Sequence, residues 1–208
     1  MKIVYVDFCG TITTTATLYK FCKFVFLKHS THTKLYFYLH YLLSKRMKIF
    51  DFNLFLPFNN MPLKKLDSYA KTFFNSVLRP HINDKVINYL NKASLTGYHV
   101  IIISGGLKNY IEHTIELVRV DKVIAKEFQL IDGQIKPNFI NGTVFQNDKI
   151  FQILNFEKQI DEEIEERIVI SDSEDDIPLF LLADKKIVVS PSSKRLIELA
   201  RHLNWELL

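Results

Sequence analysis

The run Lys2-Ile-Val-Tyr-Val6 constrains this chain more than any other stretch. Ile3, Val4, Tyr5 and Val6 are β-branched or aromatic with no polar alternation, which is the pattern of a central strand buried on both faces. Asp7 stands where the run stops, and Gly10 then permits a tight turn. Strands of this kind build open α/β sheets, in which ligands bind in the crevice beyond the carboxyl ends of the strands. Two later runs repeat the arrangement. Residues 98–103 (YHVIII) lead into Ser104-Gly105-Gly106, and residues 167–170 lead into Ser171-Asp172-Ser-Glu-Asp-Asp176.

Between the first two runs the pattern changes. Residues 16–29 and 33–45 are helical, with large apolar residues around most of their circumference and Lys and His among them. Residues 30–32 (STH) break one from the other. Residues 50–61 have no clean period and contain Pro57, so an irregular aromatic connection is expected there. Pro62 suits the first turn of a further helix to about Leu78, stopped before Pro80. Residues 14–80 therefore read as an all-helical insertion. The α/β core is expected to comprise residues 1–13 and 81–208.

The core pattern then resumes. Asn83 caps a helix to about Ala93, ended by Gly97, and residues 107–118 form another helix after the second strand. A short strand at Val123-Ile124 precedes a hairpin at residues 128–135 with an Asp132-Gly133 turn. Asp148 starts a helix, residues 187–189 form a last strand, and residues 192–203 a closing amphipathic helix. The expected architecture is a Rossmann-like, doubly wound parallel sheet with an inserted helical cap.

Composition excludes several classes. A hydrophobic content of 48% over 208 residues supports a sizeable core, and the formal charge of +4 is mild. No arginine-rich arm or zinc spacing is present, which argues against nucleic acid as a partner. The apolar run ending at Asp7 is not a signal-peptide pattern, and no uninterrupted apolar stretch approaches a membrane span. Cys9 and Cys22 do not make a disulfide framework, so a cytoplasmic protein is expected.

Parallel strands bring Asp7 with Thr11, Ser104-Gly105-Gly106, and Asp172 with Asp175 and Asp176 to one sheet edge. Crowded carboxylates repel, and a hard divalent cation relieves them; oxygen donors without a His or Cys cluster favour magnesium over zinc. A hydroxyl with glycine N–H groups at a helix start suits phosphate. Lys149, at a helix start on the same side, can neutralise phosphoryl charge.

This order resembles the haloacid dehalogenase-like phosphohydrolase superfamily. Its first motif, Asp-x-Asp-Gly-Thr, stands here as Asp7-Phe-Cys9-Gly10-Thr11, and its second as a strand ending in Ser104. The third motif is a lysine, best matched by Lys149, with Lys136 in the hairpin as the rival. The fourth matches Ser171-Asp172-Ser-Glu-Asp-Asp176-Ile-Pro178, with Ser171 in place of Gly, and residues 194–205 resemble the ending of the phosphoserine-phosphatase-like branch. The resemblance implies that Asp7 is a nucleophile forming an aspartyl phosphate. It implies Mg2+ on Asp7, the Cys9 carbonyl and Asp172, with Asp176 in support. Ser104, the Gly105 N–H and Lys149 would bind the phosphoryl oxygens, and Thr11, counted with them, would mainly brace the turn. The insertion would be a cap over the site.

Cys9 departs from the pattern. The family's phosphatases carry a second Asp there, which protonates the leaving oxygen and then activates water. A thiol has a pKa near 8.5, rising further beside carboxylates, and is a poor substitute. The expected function is a magnesium-dependent phosphohydrolase, attenuated or restricted to good leaving groups such as acyl phosphates. The alternative is a degenerate phosphate- and metal-binding regulatory module. The dehalogenase and phosphonatase branches lack support, because their marker Tyr or Ala is absent. A small phosphorylated metabolite is the expected partner. The cap's aromatics (Phe21, Phe24, Phe26, Tyr36, Phe37, Tyr38, Tyr41, Phe55) read first as core, and as a lipid- or sugar-phosphate wall in the alternative. Lys20, Lys23, Lys28, Lys45, Arg46 and Lys48 leave peripheral membrane contact open. His29, His32 and His40 lack ligand spacing and are expected to be solvated.

Overall fold

In the computed structural model the described residues are 1–29, 54–142, 144 and 147–208. Six parallel strands form the central sheet: β1 (Lys2–Val6), β2 (Tyr98–Leu107), β3 (Lys122–Lys126), β6 (Glu166–Ser171), β7 (Lys185–Val188) and β8 (Glu206–Leu207). Their order is β3-β2-β1-β6-β7-β8. The chain runs outward from β1 to β3, then returns to the other side of β1 and continues from β6 to β8. The order therefore reverses between β1 and β6, and that reversal opens the crevice in which such sheets bind ligands.

The period of two in β1 explains its sequence. Val4 and Val6 face one apolar cluster while Ile3 and Tyr5 face another, so every position from Ile3 to Val6 is buried. The first cluster is covered by α1 (Leu18–His29), α2 (Leu63–Phe73), α3 (Asp84–Leu95) and α4 (Lys108–Ile111). The second is covered by α5 (Asn147–Glu157), α6 (Ile177–Leu182) and α7 (Lys194–His202). A two-stranded antiparallel hairpin, β4 (Phe128–Ile131) and β5 (Gln134–Phe139), turns through Asp132 and Gly133, both at positive φ. It hooks onto the start of α2: Asn60 N–H donates to the Ile135 carbonyl (2.8 Å), and Ile135 N–H to that of Met61 (2.9 Å).

Helix ends follow the sequence signals. The Asn83 side chain accepts from Lys85 N–H, and the Ser193 side chain from Leu196 N–H. Pro62 lies at the N-cap of α2 rather than inside its first turn, and the helix relaxes into a π turn at Phe74–Leu78. Two expectations needed correction. β2 does not stop before Ser104 but runs on to Leu107, with its register to β3 broken between Ser104 and Leu107. Residues 107–118 are not one helix: α4 is a single turn followed by a 3-10 stretch, Glu112–Glu116. Gly105 and Gly106 let the strand bulge and continue where a helix start was expected.

The described part of the insertion is apolar inside. Phe21, Phe73 and Tyr110 form a ring cluster with centroids 5.0 to 5.6 Å apart, and Phe55 (edge-on) and Phe58 (tilted) pack against Phe128 of the hairpin. These rings belong to the same cluster as Val4 and Val6. Phe21 and Phe26 are thus core residues, as the first reading of the aromatics holds. The expected helix at 33–45, the break at 30–32, and Tyr36, Phe37, Tyr38, Tyr41, His32, His40, Lys45, Arg46 and Lys48 lie outside the described residues.

Candidate active site

Sheet geometry delivers the site. Asp7 directly follows β1, its N–H donating to the Ile170 carbonyl of β6 at 2.9 Å, which locks the two strand ends together. The turn after it closes through Gly10 N–H to the Thr13 carbonyl (2.6 Å) and Thr13 N–H to the Phe8 carbonyl (3.0 Å). Gly10 sits at φ +86°, and a Cβ there would lie 2.1 Å from Asp172 Oδ2. The glycine is required twice, by its backbone conformation and by the Asp172 carboxylate seated against it. Thr11 completes this junction. Its hydroxyl donates to Asp172 Oδ1 (2.7 Å) and accepts from Asp172 N–H (3.0 Å). Fully buried, it braces Asp172 and does not line the cleft.

Lys149, in the first turn of α5, is 5% exposed and bridges two carboxylates. Its Nζ donates to Asp7 Oδ1 at 2.8 Å and to both oxygens of Asp176 at 2.8 Å. Ser171 Oγ donates to Asp176 Oδ2 at 2.6 Å and accepts from Ser173 N–H at 3.1 Å. The serine that replaces the family's glycine thus holds Asp176 in place, which the motif alone did not reveal. Lys136 lies elsewhere, donating to Asn60 Oδ1 at 2.6 Å on an exposed surface.

Electrostatics follow from one ammonium set among three carboxylates. Burial pushes the Asp7 carboxyl up to about 7; Lys149 opposes the rise, while Asp176 and Asp172 add to it. Burial also raises Asp172, partly offset by the Thr11 hydroxyl. Burial pulls Lys149 down, but Asp7 and Asp176 outweigh it, so its ammonium is held charged. Among the described residues no three His, Cys, Asp or Glu side chains converge as a metal cage.

The other wall is neutral. Cys9 Sγ lies 2.8 Å from Thr17 Oγ1, which is in turn 2.8 Å from the Tyr110 hydroxyl. Burial and then the Asp7 charge push the Cys9 thiol above its ordinary value, so it stays protonated. Tyr110 is raised far above its own by burial. Gly106 makes room for the Tyr110 hydroxyl, since a Cβ there would come within 2.4 Å of it. Ser104 is buried, with Oγ accepting from Gly106 N–H at 3.1 Å. Thr17 and Tyr110 carried no sequence signal: Thr17 is 8 positions from its partner Cys9 and 93 from its partner Tyr110, and only folding pairs them.

A cleft of about 440 Å³ joins these parts. Asp7, Cys9, Ser104, Gly105, Lys149, Asp172 and Asp176 line it together, with Leu18, Tyr19 and Leu54 of the insertion opposite. A buried carboxylate at a strand end, a fixed ammonium beside it and backbone N–H groups nearby are the means to attack and hold an oxyanionic group.

A family model for haloacid dehalogenase-like hydrolases matches residues 4–181. No curated protein sequence matches the chain. Several solved structures share the fold. A protein of unknown function from Bordetella pertussis Tohama I superposes with a TM-score of 0.86 at 15% identity, covering 100% of this chain and 97% of that one. A phosphoserine phosphohydrolase-like protein from Francisella tularensis subsp. tularensis SCHU S4 gives 0.64 at 20% identity, covering 100% and 95%. A phospho-aspartyl intermediate analogue of phosphoserine phosphatase gives 0.59 at 18% identity, covering 99% and 91%.

Proposed function

The chain belongs to the haloacid dehalogenase-like hydrolases, and from that premise we propose that it is a magnesium-dependent phosphohydrolase working through an aspartyl phosphate on Asp7. The observation that carries this reading is the bridge from Lys149 to Asp7 and Asp176 at 2.8 Å inside the cleft. One ammonium does not balance the carboxylates around it. Magnesium fits the remaining donors, which are all oxygen: Asp7, Asp172 held against Gly10 by Thr11, and the Cys9 carbonyl, with Asp176 in support. When bound, the ion would neutralise the carboxylates and the charge of the phosphoryl group.

The chain's own residues then do the following. The Asp7 carboxylate attacks phosphorus; an Asp7 O–P bond forms as the bond to the leaving oxygen breaks. Lys149, Ser104 and the Gly105 N–H hold the phosphoryl oxygens. Water later attacks the same phosphorus, releasing phosphate and regenerating the Asp7 carboxylate. Both halves need proton transfer at the leaving oxygen or the water, typically worth 10²–10⁴-fold. Cys9, neutral and engaged by Thr17, supplies it poorly. Leaving groups that need no proton, such as acyl phosphates, are therefore preferred, and the second half is slow. Residues 14–80 act as a cap over the strand ends, a role supported by Leu18, Tyr19 and Leu54 in the cleft wall. A reducing compartment such as the cytoplasm suits the two free thiols, Cys9 and Cys22. No helix among the described residues is long and apolar enough to cross a membrane.

The neutral network around Cys9 favours a second reading, a binding module that retains metal and phosphate but lacks turnover. One assay separates the two. Phosphate release is measured from acetyl phosphate, para-nitrophenyl phosphate and alkyl phosphates, with magnesium and with EDTA. Magnesium-dependent release that is fastest from acetyl phosphate supports the hydrolase. Magnesium binding with no release from any substrate supports the module.

A further inference from the structure

The cleft contains a charge that the proposed chemistry does not use. Lys126, the last residue of β3, lines it and is half-buried. It pairs in register with Leu107, directly across the bulge at Gly105 and Gly106. The other lysine of the cleft, Lys149, is saturated by Asp7 and Asp176. Lys126 has no carboxylate within ion-pair distance among the described residues, and its neighbour is the Phe139 ring, 5.5 Å from the ammonium to the centroid. Ala16, Leu18 and Leu54 line the same cleft, as does Asp175.

We propose that Lys126 selects the substrate by binding a second anionic group, a carboxylate or another phosphate, carried on the leaving group of the phosphomonoester. The identity of the first anion rests on the phosphohydrolase reading. The placement of the second rests on Lys126 itself. Burial lowers the affinity of this lysine for its proton, so its charged form bears a desolvation cost that an anion offsets. Strand spacing sets the reach. β3 and β1 are separated by β2, so their ends lie about 10 Å apart at ~4.8 Å per spacing. The lysine stem covers much of that, which leaves a few bonds between phosphorus and the second anion. The Phe139 ring offers the ammonium no lone pair, so an anion adds charge-assisted hydrogen bonds that the cation–π contact does not provide.

Propyl phosphate, 3-(phosphonooxy)propanoate and propane-1,3-diyl bisphosphate serve as probes, assayed with magnesium on wild type, Lys126→Met and Lys126→Arg. Wild type is expected to favour either probe that carries a second anionic group over propyl phosphate by about tenfold in kcat/KM. The ratio falls toward one in Lys126→Met and is largely kept in Lys126→Arg. The carboxylate and bisphosphate arms identify which anion the subsite takes. Calorimetric binding of propylphosphonate and 3-phosphonopropanoate, which cannot turn over, separates the two layers of the argument. A Lys126-dependent preference in binding, with no phosphate release from these probes or from acetyl phosphate, retains the subsite and removes the phosphatase. Turnover with a ratio untouched by Lys126→Met removes the subsite, leaving Lys126 as a packing partner of Phe139. Binding of neither phosphonate overturns both.

Discussion

The two walls of the cleft are built on different chemistry. On the β1–β6 side Asp7 and Asp176 are held by Lys149, Asp176 also by Ser171, and Asp172 by Thr11. On the β2 and α1 side, where Cys9, Thr17, Tyr110 and Ser104 stand, the network is made of a thiol and hydroxyls. The first wall rests on strand ends tied by backbone hydrogen bonds and is preorganised for charge. The hydrogen-bonded network of the second contains no carboxylate to move a proton. On the proposed reading, the first wall serves binding and attack on a phosphoryl group, and the second serves poorly the proton transfers that finish the reaction.

The largest effect is expected on the charged wall. Asp7→Asn removes the proposed nucleophile, and turnover of para-nitrophenyl phosphate with magnesium should fall by at least about 10⁴-fold. Retained activity would show that the two walls do not divide the labour as described. Lys149→Met leaves Asp7 and Asp176 facing each other without a cation. Breaking a buried pair of this kind costs about 3–5 kcal/mol, to be read from urea denaturation of the metal-free protein, and activity should drop with it.

The neutral wall is expected to respond in the opposite sense. Cys9→Asp supplies the missing acid–base group, and steady-state turnover of ordinary phosphomonoesters should rise about 10²-fold. A wild type that hydrolyses alkyl phosphates briskly and loses that rate on Cys9→Asp would erase the contrast. The smallest effect belongs to Tyr110→Phe. It deletes a buried hydroxyl bonded to Thr17, costs about 1 kcal/mol in thermal or urea unfolding, and leaves the charged wall untouched.

The charged wall was legible in the sequence and the neutral one was not. β1, the turn at Gly10, Lys149 and the acidic run 171–176 are each contiguous signals, and parallel strands bring their ends together without further information. The motif shows Ser171 only as a serine in place of glycine, because its use, holding Asp176, depends on a side-chain rotation that sequence does not show. The full length of β2 is hidden because Ser-Gly-Gly after an apolar run reads as a turn, whereas here the glycines let the strand bulge and continue. Tyr110 had the look of an ordinary helical aromatic. Its part in the site comes from a hydroxyl reaching across to α1, a contact between residues 93 positions apart.

Trapping the covalent intermediate tests the division between the walls most directly. Wild type mixed with acetyl phosphate and magnesium, quenched in acid and examined by peptide mass spectrometry, should carry phosphate on Asp7. The adduct should build up in a burst ahead of slow steady-state release, because attack is intact and hydrolysis is not. In Cys9→Asp the same peptide should carry little phosphate at steady state, since water now clears it, and Asp7→Asn should carry none. No adduct in the wild type, together with full phosphate release by Asp7→Asn, would contradict the account.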